Sequence, residues 1–137
     1  MQGEIKQTWR FSRPQREVWD YLTKPELLEL WLAKTDFQPV VGHRFQMDGK
    51  DGCVIDCRVV EVQPFTKLSY SWRTVSKKDH QPFDSLVVWT LVPHTDGTEL
   101  RLVHSGFVSA EDHTGHNAGW TLLVGQRMAE LLNAAAV

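Results

Sequence analysis

The sequence predicts an α+β fold in which an antiparallel, curved sheet of about six strands is covered by a long C-terminal helix. After Gly42, apolar residues recur at every second position in five consecutive segments. The last segment lacks proline and repeats its apolar residues at helical spacing. A length of 137 residues, with 42% hydrophobic and 23% charged residues, is typical of one globular domain. We therefore expect a single domain over residues 1–137.

The N-terminal part of the chain predicts one strand followed by two short helices. Apolar residues alternate along Glu4–Phe11, which is typical of a strand with one buried face. Ser12 and Thr23 are each followed, three residues later, by a Gln or Glu, and this spacing is typical of a helix cap. The two caps predict a first helix over Pro14–Leu22 and a second that starts at Pro25.

Turn residues such as Asp96 and Gly97 divide the middle of the chain into five further predicted strands. These are Arg44–Asp48, Cys53–Val62, Lys67–Thr74, Ser85–Pro93 and Thr98–Phe107. Because the connections are short, consecutive strands are expected to form an antiparallel meander. The polar segment Ser76–Asp84 is expected to be a mobile loop with Phe83 as its only apolar tip.

The last helix is predicted over His113–Ala136 and is long enough to cross the sheet. At 1.5 Å per residue it would run about 36 Å, the length of a strand of about ten residues. Gly115, Gly119 and Gly125 weaken its first half and allow another group to approach closely. Its apolar stripe consists of Trp120, Leu123, Val124, Met128 and Leu131.

Charge and composition exclude several classes of function. A formal net charge of -2 gives no basic field for nucleic acid. No segment approaches the roughly 18 apolar residues of a membrane span, and the first residues lack the apolar core of a signal peptide. We expect a cytoplasmic protein without nucleic-acid or membrane partners. Cys53 and Cys57 are expected to face the core about 13 Å apart, which is too far for a disulfide.

The sequence contains no assembled catalytic, metal or cofactor motif. Ser105 follows His104 but should point to the opposite face of its strand, so the two cannot form a nucleophile and its base. His113 and His116 have a spacing that could place both imidazoles on one metal ion, but no metal signature accompanies them. We expect this pair to be solvated at the start of the last helix, and we predict no catalytic residue, no metal site and no cofactor.

Short motifs along residues 4–133 carry a resemblance to a known family. They are Val18-Trp19, Pro25-Glu26, Leu30-Trp31, Gly42-His43-Arg44-Phe45, Glu61-Val62-Gln63-Pro64, Leu68-Ser69-Tyr70-Ser71-Trp72, Val88-Trp89-Thr90-Leu91, Asp96-Gly97-Thr98-Glu99-Leu100, His104-Ser105-Gly106-Phe107 and Gly119-Trp120. In this order they resemble the family related to the activator of the heat-shock protein 90 ATPase, within the START-like, birch-pollen-allergen-like (SRPBCC) superfamily. The resemblance implies the helix-grip fold, with a cavity between sheet and helix. The eukaryotic co-chaperones of this family carry a further N-terminal domain, so chaperone activation is not expected from the resemblance alone.

Strand alternation places many aromatic side chains and one histidine on the sheet face toward the last helix. The candidate ligand-binding residues are Trp31, Phe37, Phe45, Tyr70, Trp72, Trp89, His104 and Trp120. Mostly apolar walls with a few polar groups are typical of ligand pockets, but the same side chains can equally fill a core. In the purely structural case, His104 is expected to bond to a backbone carbonyl or to Tyr70.

These observations predict a protein that binds a small hydrophobic or aromatic ligand between the sheet and the C-terminal helix. The alternative is a protein-interaction module, such as a chaperone-linked stress-response protein. A cyclase- or hydrolase-type enzyme ranks third, because it needs an inward carboxylate near His104. By strand alternation Glu61 would point inward like Cys57 and Val59, but it lies where a bulge or a solvated strand end is expected. We expect a monomer or a weak homodimer.

Overall fold

A computed structural model describes residues 3–49 and 53–134. Within these ranges the chain forms a single antiparallel sheet, two short helices and a long C-terminal helical region. The elements are β1 (Gly3–Phe11), α1 (Gln15–Thr23), α2 (Pro25–Trp31), β2 (Arg44–Asp48), β3 (Val54–Gln63), β4 (Lys67–Val75), β5 (Pro82–His94), β6 (Gly97–Phe107), α3 (Ala110–Leu122), a π-helical segment (Leu123–Met128) and α4 (Ala129–Ala134). The predicted α+β class and element order are confirmed.

The six strands are arranged in the order β1-β6-β5-β4-β3-β2. Strands β2 to β6 form the predicted meander, and β1 pairs with β6 at one edge of the sheet. The register of β3 against β4 shifts between Val59 and Glu61, which confirms the bulge expected near this strand end. Glu61 forms an ion pair with Lys67 at 3.1 Å on the surface, so it does not face the interior.

The β4–β5 hairpin is longer than predicted. The pairs Thr74–Phe83 and Val75–Pro82 continue the ladder, so β5 starts three residues before the predicted Ser85. Proline is tolerated here because it is the first residue of the strand. Phe83 is half-buried against Phe107, with ring centroids 6.0 Å apart, so its prediction as an exposed loop tip is wrong. The connecting loop consists of residues 76–81 only.

Both predicted helix caps are wrong. Pro14 occupies the N-cap of α1 and Lys24 that of α2, and neither helix has a side-chain cap bond. The hydroxyl of Thr23 instead donates to the carbonyl of Trp19 in the preceding turn, at 2.8 Å. Threonine and serine side chains make both kinds of bond, and their spacing does not distinguish them. Pro25 in the first turn of α2 confirms the predicted helix start.

The C-terminal helical region starts at Ala110, three residues before the predicted start, and its predicted end at Ala136 lies outside the described residues. The apolar residues that it buries recur at every fourth position, namely Trp120, Val124, Met128 and Leu132. In a regular α-helix, positions four apart drift by about 40° per step. The wider π-helical turns reduce this drift and keep the four side chains facing the sheet. Leu123 and Leu131 of the predicted stripe are only half-buried.

The core lies between the inner face of the sheet and the helices. Cys57 and Val59 are buried as alternation predicts, whereas Cys53 is exposed because it precedes β3 and does not share its alternation. Burial raises the pKa of the Cys57 thiol, with a further contribution from the neighbouring Asp56, so the thiol stays protonated. None of the helices in the described ranges is long and apolar enough to cross a membrane.

Gly97 in the β5–β6 turn is expected to be intolerant of substitution. Its φ of +151° disfavours L side chains, and a Cβ there would overlap the carbonyl oxygen of Phe11. We expect Gly97→Ala to lower the free energy of unfolding in urea by about 3 kcal/mol. Gly119→Ala is the matched control, because a Cβ on this helical glycine meets nothing within 4 Å. The control should raise stability by up to about 1 kcal/mol, and equal effects of the two substitutions would contradict the prediction.

Candidate functional site

The eight predicted ligand-binding side chains meet between the sheet and the C-terminal helix. Each of them is between 0% and 4% exposed. They come from α2 (Trp31), the α2–β2 connection (Phe37), β2 (Phe45), β4 (Tyr70 and Trp72), β5 (Trp89), β6 (His104) and α3 (Trp120). We call these eight residues the aromatic cluster. Strand alternation explains the orientation of its five strand residues, because their side chains share the inner face of the sheet.

Trp89 is at the centre of the aromatic cluster. Its ring contacts Trp31 at a centroid distance of 6.2 Å and Trp120 at 5.4 Å, both nearly perpendicular. Its indole N–H donates to the hydroxyl of Tyr70 at 2.9 Å, and the Tyr70 ring packs edge-on against Phe45. Burial raises the pKa of the Tyr70 hydroxyl, which therefore stays protonated. Edge-to-face packing of this kind fills the space between the elements with ring-to-ring contacts.

His104 is fully buried in the aromatic cluster and makes two hydrogen bonds. The indole N–H of Trp120 donates to its Nδ1 at 3.0 Å. Because an indole nitrogen can only donate, Nδ1 carries no proton, and the neutral imidazole has its proton on Nε2. Nε2–H then donates to Oγ of Ser85 at 2.8 Å, and the Ser85 hydroxyl donates to the carbonyl of Trp72 at 2.9 Å. We call this chain of three bonds the His104 network.

The direction of these bonds excludes His104 as a general base for Ser85. The Ser85 proton points away from the imidazole, and the lone pair on Nδ1 already accepts from Trp120. Burial lowers the pKa of His104 from 6.5 to about 3, with a smaller contribution from His116, so the ring is neutral at physiological pH. The expected partners, a backbone carbonyl or Tyr70, are wrong, because β5 lies between β4 and β6 and provides Ser85 instead.

Sequence reasoning missed the role of Ser85, although a signal was present. Ser85 has the same alternation as Val87 and Trp89, so it belongs to the inner face of β5. A serine among large apolar residues needs a hydrogen-bond partner when buried. The register pairs Ser85 with Trp72 and Val87 with His104, which brings the hydroxyl within reach of both partners.

His116 also belongs to the site, whereas it was expected to be solvated. Its Nδ1–H donates to the carbonyl of Asp112 at 2.9 Å, and its Nε2 accepts from the indole N–H of Trp72 at 3.3 Å. Burial lowers its pKa, so the half-buried ring is held neutral with its proton on Nδ1. His113 bonds separately, to the carbonyl of Glu4 at 2.9 Å. Among the described residues, no three His, Cys, Asp or Glu side chains are placed to hold a metal ion.

The carboxylate of Asp112 fixes the start of the β4–β5 loop to α3. Asp112 is 3% exposed and accepts hydrogen bonds from the hydroxyl of Ser76 at 2.5 Å and the backbone N–H of Lys77 at 2.9 Å. Ser76 Oγ in turn accepts from the N–H of Lys78 at 3.1 Å. The negative charge is favourable in the first turn of α3, where backbone N–H groups point outward. The expectation of a mobile loop therefore fails at Ser76 and Lys77, which are anchored.

The His104 network predicts that the protein loses stability in acid. The unfolded chain takes up a proton on this histidine near pH 6.5, whereas the folded state takes it up only near pH 3. Its contribution to stability is therefore complete above pH 6.5 and is lost as the pH falls toward 3. Between pH 8 and pH 5 the expected loss in the free energy of unfolding is about 2 kcal/mol.

This loss is measured by urea unfolding at pH 8 and pH 5. In His104→Gln the change in the free energy of unfolding between pH 8 and pH 5 should be about 2 kcal/mol smaller than in the unmodified protein. The change that remains comes from His116 and the carboxylates. His80→Asn is the matched control, because His80 is exposed on the β4–β5 loop. An unchanged pH dependence in His104→Gln would contradict the assignment of a neutral, buried imidazole.

Asp112→Asn is expected to release the β4–β5 loop. The amide keeps one oxygen but loses the charge that strengthens the bonds to Ser76 and Lys77. We expect the free energy of unfolding to fall by about 2 kcal/mol and the amide of Lys77 to exchange its hydrogen faster. Glu111→Gln, at the exposed neighbouring position, removes the same charge and should change neither quantity. Equal exchange rates in the two variants would show that the carboxylate does not hold the loop.

Comparison with known proteins assigns the chain to a protein family. Residues 12–133 match the family model described as Activator of Hsp90 ATPase homolog 1-like protein. The solved structure of MLL2253 from Mesorhizobium loti is 35% identical, with a TM-score of 0.89 over 96% of this chain and 98% of that chain. BH1534 from Bacillus halodurans is 27% identical, with a TM-score of 0.80 over 95% and 96% of the two chains.

A more distant structure, CV1439 from Chromobacterium violaceum, is 20% identical with a TM-score of 0.76 over 94% of this chain and 96% of that chain. At this identity the likeness shows the fold alone. The search of curated proteins finds no match to the sequence. The family and the fold are therefore the information that the comparisons add to the geometry.

Proposed function

Because the chain belongs to the family of Activator of Hsp90 ATPase homolog 1-like proteins, a START-like (SRPBCC) group that commonly binds hydrophobic ligands, we propose that it binds a small aromatic molecule between the sheet and the C-terminal helix. The observation that carries the proposal is the aromatic cluster, in which large rings from five elements and one connection are buried together and two of them, Trp72 and Trp120, pack against a histidine with a fixed proton. A flat aromatic ligand can make the same edge-to-face and offset contacts that these rings make with one another.

The C-terminal helical region is the element that must move to admit a ligand. Its attachment to the aromatic cluster includes one hydrogen bond from Trp120 and one from Trp72 to His116. The π-helical segment Leu123–Met128 follows directly, and π-helical turns in α-helices are frequent at functional sites. Gly119 adds a position in α3 with low helix propensity, where an added Cβ would meet nothing within 4 Å. These features support a helix that moves away from the sheet while the strands stay paired.

The His104 network defines the polar group that the ligand should carry. When Trp120 moves away, the Ser85 hydroxyl still donates its proton to the carbonyl of Trp72 and accepts from Nε2–H, so Nδ1 remains an acceptor. A ligand hydroxyl or N–H can then donate to Nδ1 in place of the indole. Burial of the ligand's apolar surface contributes about 25 cal/mol per Å² to the binding free energy. We therefore propose a phenol-like ligand, apolar over most of its surface and with one hydrogen-bond donor.

The proposal is tested by fluorescence titration of the tryptophans with 2-naphthol and its methyl ether. Both compounds should give a saturable change, and the naphthol should bind about tenfold more tightly because only it can donate to Nδ1 of His104. Trp120→Phe keeps an aromatic ring but removes the competing N–H, so it should bind the naphthol more tightly than the unmodified protein does. The methyl ether should gain much less from this substitution.

Trp19→Phe is the matched control, because the Trp19 ring packs against Phe65, outside the aromatic cluster. This variant should retain the affinities of the unmodified protein. A titration without saturation for either compound would reject ligand binding at this place. Equal affinities for the naphthol and its ether, in both the unmodified protein and Trp120→Phe, would reject the role of His104 as acceptor.

A chaperone-linked interaction is a second proposal for this chain. It rests on the description of the matching family, which names the activation of the Hsp90 ATPase. The buried aromatic cluster has no part in it, since a partner protein would contact exposed residues. The fluorescence titration distinguishes the two proposals. Ligand binding at His104 predicts tighter binding of naphthol than of its methyl ether, whereas the docking of a partner protein on the surface predicts no such difference.

A further inference from the structure

The outer face of the sheet, opposite the aromatic cluster, carries an open groove of about 650 Å³. Arg44 on β2 lies directly opposite Arg58 on β3, and Arg58 lies opposite Ser71 on β4. All three side chains line the groove. The register therefore sets two guanidinium groups and a hydroxyl side by side across three strands. We call these three residues the arginine row.

The donors of the arginine row have no acceptors in the described part of the chain. Neither guanidinium forms an ion pair or a hydrogen bond there. Ser71 Oγ accepts from the backbone N–H of Arg58 at 3.0 Å, which leaves its own proton free to donate. Like charges opposite each other on neighbouring strands are unfavourable, so an anion held between the two arginines would relieve their repulsion.

Other arginines on the same sheet face are neutralised by carboxylates. Arg73 pairs with Asp84 at 2.8 Å, and Arg101 pairs with Glu99 at 2.5 Å. The arginine row thus differs from these two arginines because, in the described part of the chain, no carboxylate is in ion-pair contact with Arg44 or Arg58. This difference distinguishes a candidate anion site from the mixed charges of an ordinary solvated sheet face.

Three carboxylates also line the groove, and two of them limit what it can accept. Asp84 is paired with Arg73, whereas Asp36 and Asp56 form no ion pair with an arginine of the described residues. Asp36 accepts from the backbone N–H of Gln46 at 3.2 Å, and Asp56 accepts from the Gln46 side-chain amide at 2.7 Å. Asp56 is two residues from Arg58 along β3, which separates their Cα atoms by about 6.7 Å. An anion that extended along the strand would meet these carboxylates, whereas a single compact anion fits beside the arginines.

We propose that the arginine row binds the phosphate group of a small phosphomonoester. A phosphomonoester carries a charge of about −1.5 to −2 at pH 7 and three terminal oxygens, which match two guanidinium groups and one hydroxyl. Arginine suits this role because its planar fork donates two parallel hydrogen bonds to one oxyanion. A carboxylate has the same hydrogen-bonding chemistry but less charge and one oxygen fewer. The site lies on the face opposite the aromatic cluster and is independent of the ligand proposed there.

The test is a titration followed by backbone amide NMR, with inorganic phosphate, phenyl phosphate and benzoate at constant ionic strength. Both phosphates should produce saturable shifts at Arg44, Arg58 and Ser71, and benzoate should bind at least tenfold more weakly. Arg44→Gln and Arg58→Gln should each weaken phosphate binding by about tenfold. Both are exposed surface changes, so the fold should be retained.

Arg101→Gln is the matched control, since it removes an arginine from the same sheet face that is already paired with Glu99. Phosphate binding should be unchanged in this variant. Shifts that do not saturate, or an equal loss in Arg101→Gln and Arg58→Gln, would show only general charge attraction and overturn the site. Benzoate binding as tight as phenyl phosphate would overturn the assignment to phosphate. Neither outcome bears on the naphthol titration, which reports the opposite face.

Discussion

The hydrogen bond from the Trp120 indole to Nδ1 of His104 is the interaction on which the interior depends. Both groups are buried, so no water can replace either partner. Because the indole only donates, this bond fixes the proton on Nε2 and so sets the direction of the bonds to Ser85 and to the carbonyl of Trp72. One contact between helix and sheet therefore orders polar groups on three strands. Leaving the acceptor unpaired would cost about 1–3 kcal/mol.

The C-terminal helical region is held by different forces along its length. Its first turns contact the sheet and the β4–β5 loop through polar groups, including the carboxylate of Asp112 and the neutral imidazole of His116. Beyond Trp120 the buried contacts are apolar, from Val124, Met128 and Leu132. Protonation of the histidines opposes the polar attachments, since a protonated Nδ1 or Nε2 no longer accepts an indole N–H. Acid therefore weakens the start of the helix before its end.

Much of this arrangement could be predicted from the sequence, and the remainder depends on contacts between distant segments. The two-residue period of a strand correctly placed Tyr70, Trp89 and His104 on the inner face. The partner of His104 depended on the register of β5 against both neighbours, which alternation does not contain. The bond between Ser76 and Asp112 joins residues 36 positions apart, and no local pattern marks it. The π-helical segment is related to the four-residue spacing of the buried apolar residues. That spacing is recognised only when it is known which residues are buried.

The two faces of the sheet satisfy their polar groups in different ways. On the inner face every indole N–H of the aromatic cluster finds a protein acceptor, since an unpaired group would pay its full desolvation cost there. On the outer face, water solvates Arg44 and Arg58, so their lack of carboxylate partners costs little. A ligand inside must therefore exchange one hydrogen bond for another and gain its affinity from apolar burial. A ligand outside adds hydrogen bonds but competes with water and salt, so ionic strength weakens outer binding and leaves inner binding nearly unchanged.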